Sequence, residues 1–276
     1  QLAEMTDAEI AAFRAAKGLD GPMIVRYFNW LLGVCKGDLG YSLQNNMPVA
    51  TLMMQKLPAT VELSLASLIL SSFLGILLGV ISALKKGKIA DNVLTVAGMV
   101  GVAIPQFLFG IFCIILFALN LQWFPVGQRG TGGLISELHH LFLPAFPLSL
   151  MSFANIALHT RQKLIDVLSS EYCLFARARG EGRWTILRRH GLRNILLPAL
   201  TLQFTSFAEL FGGSVMAENV FSYPGLGSAV SAAGLRCDVP LLLGVTLFSA
   251  LFVCVGNMIA NLLYGIIDPQ IREVSQ

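Results

Sequence analysis

Long runs of apolar residues, nearly free of charge, alternate along this chain with short polar segments. Five of them are long enough to cross a bilayer, whose hydrocarbon core takes about 20 residues of helix. These runs cover residues 60–84, 92–119, 141–158, 195–217 and 241–267. The charged residues inside them are Glu62 and Glu209. The pattern therefore predicts five membrane-spanning segments.

The apolar residues within each run follow one another without the alternation of a half-buried strand, so we predict helices. A soluble helical protein would show a polar face on its outer helices, and these runs have none. Composition agrees, since 55% of the 276 residues are hydrophobic, 13% are charged and the mean hydropathy is +0.70. We therefore expect an all-α fold, a polytopic membrane helical bundle.

Lysine and arginine concentrate in two of the connecting segments. Residues 159–194 hold eight of them and residues 85–88 hold three, whereas residues 120–140 and 222–240 hold one each. Positive charge is retained on the cytoplasmic side of a membrane. We therefore expect both basic segments, and the C-terminal tail, to lie in the cytoplasm.

This orientation places residues 1–57 outside, as an external segment with short amphipathic helices. Thr6 or Asp7 can cap the first of these helices, and Gly18 would end it. Carrying this segment across the membrane requires something upstream. We therefore expect a sixth transmembrane helix ahead of Gln1, with a cleaved signal peptide as the alternative.

The basic segment 159–194 is predicted to contain a short amphipathic helix. Leu164, Leu168, Tyr172 and Phe175 recur at helical spacing and should share one face. The residues that would form the working surface and end of this helix are Glu171, Tyr172, Phe175, Ala176, Ala178 and Gly180. Such a helix can transmit force if another protein grips it. The alternative is a helix lying on the membrane surface, attracted to anionic lipid by its arginines.

Polar groups inside the apolar runs are candidates for a translocation path, because they are costly within a membrane unless they face a watery interior. Glu209 is the clearest candidate, with a hydrogen bond to a neighbouring helix as the alternative. Gly212 and Gly213 permit close helix contact or bending. Gln203 and Asn155 are weaker candidates, being residue types that often join helices.

The segment 218–240 is predicted to form a turn followed by a short external helix. Pro224 and Gly225 favour a tight turn, and Gly227 would let the chain start the helix. The side chains expected at an outer mouth are those of Glu218, Phe221 and Tyr223. An ordinary connecting loop is the alternative. His139 and His140 are adjacent, a spacing that rarely chelates one ion, so we assign no metal site.

Three stretches resemble one family of membrane proteins. EYCLFARARG at 171–180, followed by RRHGLRNILLPALT, resembles the cytoplasmic EAA loop of ABC-transporter permeases. KLPATVELS at 56–64 and ENVFSYPGLG at 218–227 resemble segments of the dipeptide, oligopeptide and nickel import family. The likeness covers residues 18–272. It departs from the general pattern where Tyr172 and Cys173 stand in place of an Ala-Ala pair.

The resemblance implies that residues 58–276 form a permease domain of a bacterial inner (plasma) membrane, with a coupling loop over 159–194 and an external gate over 218–240. The coupling helix would fit a groove on a separate ATPase. The partners it implies are a second homologous permease subunit, two ATP-binding subunits and an extracytoplasmic solute-binding protein. The chain has no G-x-x-x-x-G-K-[ST] phosphate loop. We therefore expect ATP and Mg to be bound by the partner subunits, with no cofactor and no enzymatic activity in this chain.

Two functions remain open at this point. The favoured one is an ATP-driven importer of peptides or of nickel and metal chelates, for which Glu209 would suit cationic cargo. The rival is an ion-coupled secondary carrier that acts without an ATPase. A carrier of that kind often shows inverted repeats and more charge within the membrane, and the sequence shows no repeat.

Overall fold

The computed structural model describes residues 22–127, 129–130, 132–205 and 207–267. The helix predicted over residues 6–18 and the tail from Asp268 lie outside the described residues. The described part is helical almost throughout, as predicted, and has no strand beyond an isolated bridge between Tyr41 and Pro48.

The helices follow the apolar runs but extend beyond several of them. In chain order they are α1 (Met23–Cys35), α2 (Val49–Leu84), α3 (Ile89–Ala103), α4 (Gln106–Cys113) with a π-helical extension (Ile114–Asn120), α5 (Leu134–Leu168), α6 (Glu171–Ala178), α7 (Arg183–Ile186) with a π-helical turn (Leu187–Gly191), α8 (Leu192–Thr205), α9 (Phe207–Val220), α10 (Leu226–Leu235) and α11 (Val239–Ile267).

Within the described residues, three helical stretches are long and apolar enough to cross a membrane, Val49–Leu84, Leu134–Leu168 and Val239–Ile259. A fourth crossing is possible if α3 and α4 count as one span, although the pair bends by 109°. The predicted run 195–217 is helical wherever the structure describes it, as α8 and α9 on either side of residue 206.

Helices α2 and α5 form the centre of the bundle. The buried face of α2 carries small side chains at helical spacing, namely Ser64, Ser67, Ser71, Gly75 and Gly79. Gly79 shows why they are small, because a Cβ there would lie 2.7 Å from the Ala157 carbonyl oxygen and from the Thr160 Cβ. Small residues allow two membrane helices to approach closely. This contact fixes the two long helices against each other.

The prolines have different effects on the helices. Pro105 separates α3 from α4 at the 109° bend. Pro144 and Pro147, by contrast, both lie buried inside the continuous α5. Glu62 lies inside α2, which begins at Val49, and forms an ion pair with Arg129.

Candidate functional site

The 36 residues of α2 separate two ends of the bundle by roughly 50 Å, at 1.5 Å of rise per residue. The basic end contains residues 85–88 and the segment 169–192, which includes α6. The opposite end contains the start of α2, the turn after α9 and helix α10. Each end holds one group of residues that the sequence singled out.

At the basic end, α6 lies against the body of the protein through small side chains. Cys173 and Ala176 are buried in one cluster with Val167 and Ile186. The opposite face is open, and Phe175 is 71% exposed there. Glu171 lies in the first turn and Arg177 in the last, an arrangement that complements the helix dipole. The helix ends at Ala178, just before Gly180, as predicted.

The predicted face of this helix was partly wrong. Leu164 and Leu168 belong to α5, and the chain breaks at Ser169 and Ser170 before α6 begins. Leu164 is fully buried, whereas Tyr172 and Phe175 are exposed. The four residues therefore do not share a face, because the helical phase is lost at the break. Of the predicted surface residues, Ala176 faces inward and Glu171, Tyr172, Phe175 and Ala178 face outward.

An ion pair at the basic end, between the buried Asp91 and the partly buried Arg161, was missed by sequence reasoning. Both oxygens of Asp91 accept hydrogen bonds from Arg161, at 2.7 and 2.8 Å. Ser82 Oγ donates to the same carboxylate at 2.6 Å and the Gly87 amide donates at 2.9 Å. The carboxylate thus joins the end of α2, the following turn, α3 and α5. A lone acid beside a cluster of lysines was the available signal.

At the opposite end, Glu218 is wholly buried and holds the turn after α9 against α2. Thr60 Oγ1 donates to Glu218 Oε1 at 2.7 Å, and the Ser228 amide donates to Oε2 at 2.9 Å. Thr60 also accepts the Leu226 amide at 2.7 Å. The turn comes so close that a Cβ on Gly225 would lie 2.3 to 2.4 Å from the carboxylate atoms. The carboxylate is therefore enclosed by the turn itself.

The aromatic residues of this turn are buried as well. Phe221 lies in a cluster with Cys113 and Leu143, and Tyr223 lies in a second cluster with Leu63. Burial raises the pKa of the Tyr223 hydroxyl to about 12. Glu218, Phe221 and Tyr223, the side chains predicted at an outer mouth, are therefore enclosed in this structure, and their role in an external gate stays a prediction. Pro224 is half-buried, while Gly225 and Gly227 are buried at the start of α10, the helix predicted there.

A second buried carboxylate at this end belongs to Asp238, which immediately precedes α11. It accepts hydrogen bonds from Ser42 Oγ at 2.5 Å and from the amides of Leu43, Gln44 and Leu241. Burial would raise the pKa of Asp238, but these hydrogen bonds hold it below its ordinary value. These hydrogen bonds tie residues 42–44 to the start of α11.

The predicted path residues have different surroundings. Gln203 is buried between helices, where its Nε2 donates to the Leu68 carbonyl at 3.1 Å and to Ser71 Oγ at 2.9 Å. Gly213 is in close contact with Gln106 and Leu148, whereas Gly212 faces open space. Asn155 is half-buried. Glu209 lies within α9, and its side chain is outside the described residues.

Comparison with known proteins defines the class to which this architecture belongs. Residues 75–273 match the family model described as binding-protein-dependent transport system inner membrane component. The chain therefore belongs to this family of multi-pass permease subunits of ABC importers, as the three motifs predicted.

Two relatives are similar over nearly the whole chain. The oligopeptide transport system permease protein AppB of Bacillus subtilis (strain 168) is 38% identical over 274 residues, covering 98% of this chain and 87% of the relative. The dipeptide transport system permease protein DppB of Escherichia coli (strain K12) is 31% identical over 288 residues, covering 95% and 85%.

Solved structures share the fold at low sequence identity. An inward-facing form of the MetNI methionine ABC transporter matches with a TM-score of 0.62 and 16% identity, covering 79% of this chain and 96% of that one. An amino acid ABC transporter crystallised with histidines matches with a TM-score of 0.54 and 14% identity, covering 78% and 93%. These likenesses concern the fold alone.

Proposed function

We propose that this chain is the permease subunit of an ATP-driven importer of peptides and forms half of the translocation path. The observation that carries the proposal is the similarity to relatives named as oligopeptide and dipeptide permeases, which extends over nearly the whole of this chain. Nickel and metal chelates are the competing cargo. Among the described residues no group of three or more His, Cys, Asp or Glu side chains could hold a metal ion.

The basic end is proposed to face the cytoplasm, and with it the C-terminus. The argument is the concentration of lysine and arginine at that end, in line with the retention of positive charge inside. Residues 218–240, which include Asp238, would then face outside. There they would form the external gate and meet a solute-binding protein that delivers the cargo.

Helix α6 is proposed as the coupling helix. Its buried face is small and firmly seated, and its open face carries Glu171, Tyr172, Phe175 and Ala178. An exposed aromatic residue on a rigid helix is a typical anchor for a protein partner. A groove on a separate ATP-binding subunit would take this face. The proposed assembly contains a second homologous permease, two ATP-binding subunits and the binding protein.

The experiment has two stages. The tagged chain is purified from its native membrane in mild detergent, and mass spectrometry identifies the accompanying proteins. The assembly is then reconstituted in vesicles with its binding protein, and ATP-dependent uptake of labelled di- and oligopeptides and of a labelled nickel chelate is measured. We expect ATP-binding subunits to co-purify and peptides to be taken up. Uptake of the nickel chelate but not of peptides would contradict the proposal that peptides are the cargo. Ion-driven uptake by the chain alone would favour a secondary carrier.

A further inference from the structure

A cavity of about 380 Å³ opens at the basic end, where α6 meets the ends of α2 and α5. Its apolar wall includes Leu84, Leu168 and Leu174, and its polar wall includes Lys86 and Arg177. This size is within the range of small-molecule sites, which begins at about 300 Å³. The cavity is distinct from the outward face of α6 described above.

The charged side chains that line the cavity are both positive. Lys86 and Arg177 are both exposed, no carboxylate lines the cavity, and neither cation forms a salt bridge within the described part of the chain. Asp91, the buried acid nearby in sequence, is already engaged by Arg161 and Ser82. The site therefore suits an anion.

The position of the cavity at the end of α2 indicates what kind of anion fits. Leu84 is the last residue of α2, one of the helices long enough to cross a membrane, and Lys86 follows two residues later. The apolar run 60–84 that ends here has about the length that the hydrocarbon core takes, so a bilayer centred on this run would put the cavity at the level of the headgroups. A ligand that touches both walls must be apolar on one side and negatively charged on the other, and basic pockets between membrane helices bind acidic lipid headgroups.

The faces of α6 separate this cavity from the proposed ATPase contact. Successive residues of a helix are 100° apart, so Leu174 and Arg177 lie on a flank. That flank is between the buried face, with Cys173 and Ala176, and the open face around Phe175. Arg177 is about 160° around the helix from Phe175, so an ATPase bound around Phe175 would leave Arg177 uncovered.

We propose that this cavity binds one anionic phospholipid, whose phosphate lies near Lys86 and Arg177 and whose acyl chains lie against Leu84 and Leu168. A lipid bound there touches both the end of α2 and the flank of α6. It would therefore help to hold α6 in place, and the lipid composition of the membrane would affect coupling. This inference does not depend on which cargo is transported.

The test measures lipid retention in the whole transporter, purified through a tag on this chain with the subunits that accompany it. The complex is placed in phosphatidylcholine nanodiscs containing increasing fractions of phosphatidylglycerol, and native mass spectrometry counts the phosphatidylglycerol retained. The variant is K86Q/R177Q. Its matched control, K163Q/R188Q, removes two exposed cations from the same end outside the cavity lining. A second control, K86R/R177K, keeps both charges.

We expect K86Q/R177Q to weaken phosphatidylglycerol binding about 25-fold, about fivefold for each cation, while both controls stay close to the wild type. Size-exclusion profiles check that all variants assemble. Equal weakening in K163Q/R188Q would overturn the proposal, because binding would then follow overall charge. Retention of phosphatidylglycerol only after the ATP-binding subunits have been removed from the complex would also overturn it, in favour of an ATPase contact. Equal competition by glycerol phosphate would overturn it in favour of a free phosphate site.

Discussion

Arg161 and Asp91 are 70 residues apart in sequence, and their side chains meet through two hydrogen bonds, Nε to Oδ1 at 2.7 Å and Nη2 to Oδ2 at 2.8 Å. Asp91 is 1% exposed. Arg161 lies near the end of α5, which leads directly into α6. The pair therefore fixes the last turns of α5, the helix that precedes the proposed coupling helix, to the start of α3. Movement of α6 would be transmitted to the membrane helices through this joint.

Replacing Asp91 with Asn should destabilise the protein strongly, because Arg161 would be left partly buried without its anion. Breaking a buried ion pair by removing one partner costs about 3 to 5 kcal/mol. Thermal unfolding in detergent measures the loss. D166N is the control, since Asp166 is exposed at the same end. The double variant D91N/R161Q should lose less than the sum of the two single variants, and an additive loss would show that the pair does not act as a unit.

Replacing Gly225 with Ala should displace the turn after α9, because the new Cβ would overlap the Glu218 carboxylate. Overpacking of this kind costs about 1 to 3 kcal/mol. We expect a lower unfolding temperature together with reduced transport. G234A is a matched control in α10, where a Cβ would meet nothing within 4 Å. If both variants behave alike, the enclosure of Glu218 is not what fixes the turn.

The all-α membrane fold could be predicted because a bilayer demands long apolar runs, and such runs are visible without any tertiary information. The end of α6 was predictable for a similar reason, since Gly180 is a local signal. The break before α6 was not. Ser169 and Ser170 are compatible with a continuing helix, and the interruption depends on how α5 and α7 enclose Cys173 and Ala176.

The contacts of the buried polar residues were only partly predictable. Glu218 was singled out by its motif, but its burial depends on Thr60, which lies 158 residues away. Asp91 was overlooked because its partner lies in a different helix, and pairing between helices is not encoded in the local pattern. Gln203 was considered for the path, although its partners in α2 place it between helices. Sequence reasoning found the polar residues and could not assign their neighbours.

Replacing Phe175 with Ala should weaken binding of the ATP-binding subunits without unfolding the permease. The ring is 71% exposed, so the fold loses little when it is removed, whereas an aromatic anchor at an interface is worth about 2 kcal/mol or more. Co-purification of the ATPase subunits and ATP-driven uptake are measured together. The control is L134A, because Leu134 is an exposed apolar residue at the opposite end. Normal ATPase binding by F175A would exclude this face as the coupling contact.

Replacing Asp238 with Asn should remove a pH-dependent part of the stability. Because its pKa is lower in the folded protein than in the unfolded chain, Asp238 stabilises the fold above the unfolded value of about 3.9, and this contribution is lost as the pH falls through the folded value. The difference in unfolding temperature between the wild type and D238N should thus be largest near neutral pH and should shrink below about pH 4. S42A, which removes one donor and keeps the charge, should show the same trend with a smaller amplitude. A difference that stays constant with pH would mean that the charge of Asp238 is not what ties residues 42–44 to α11.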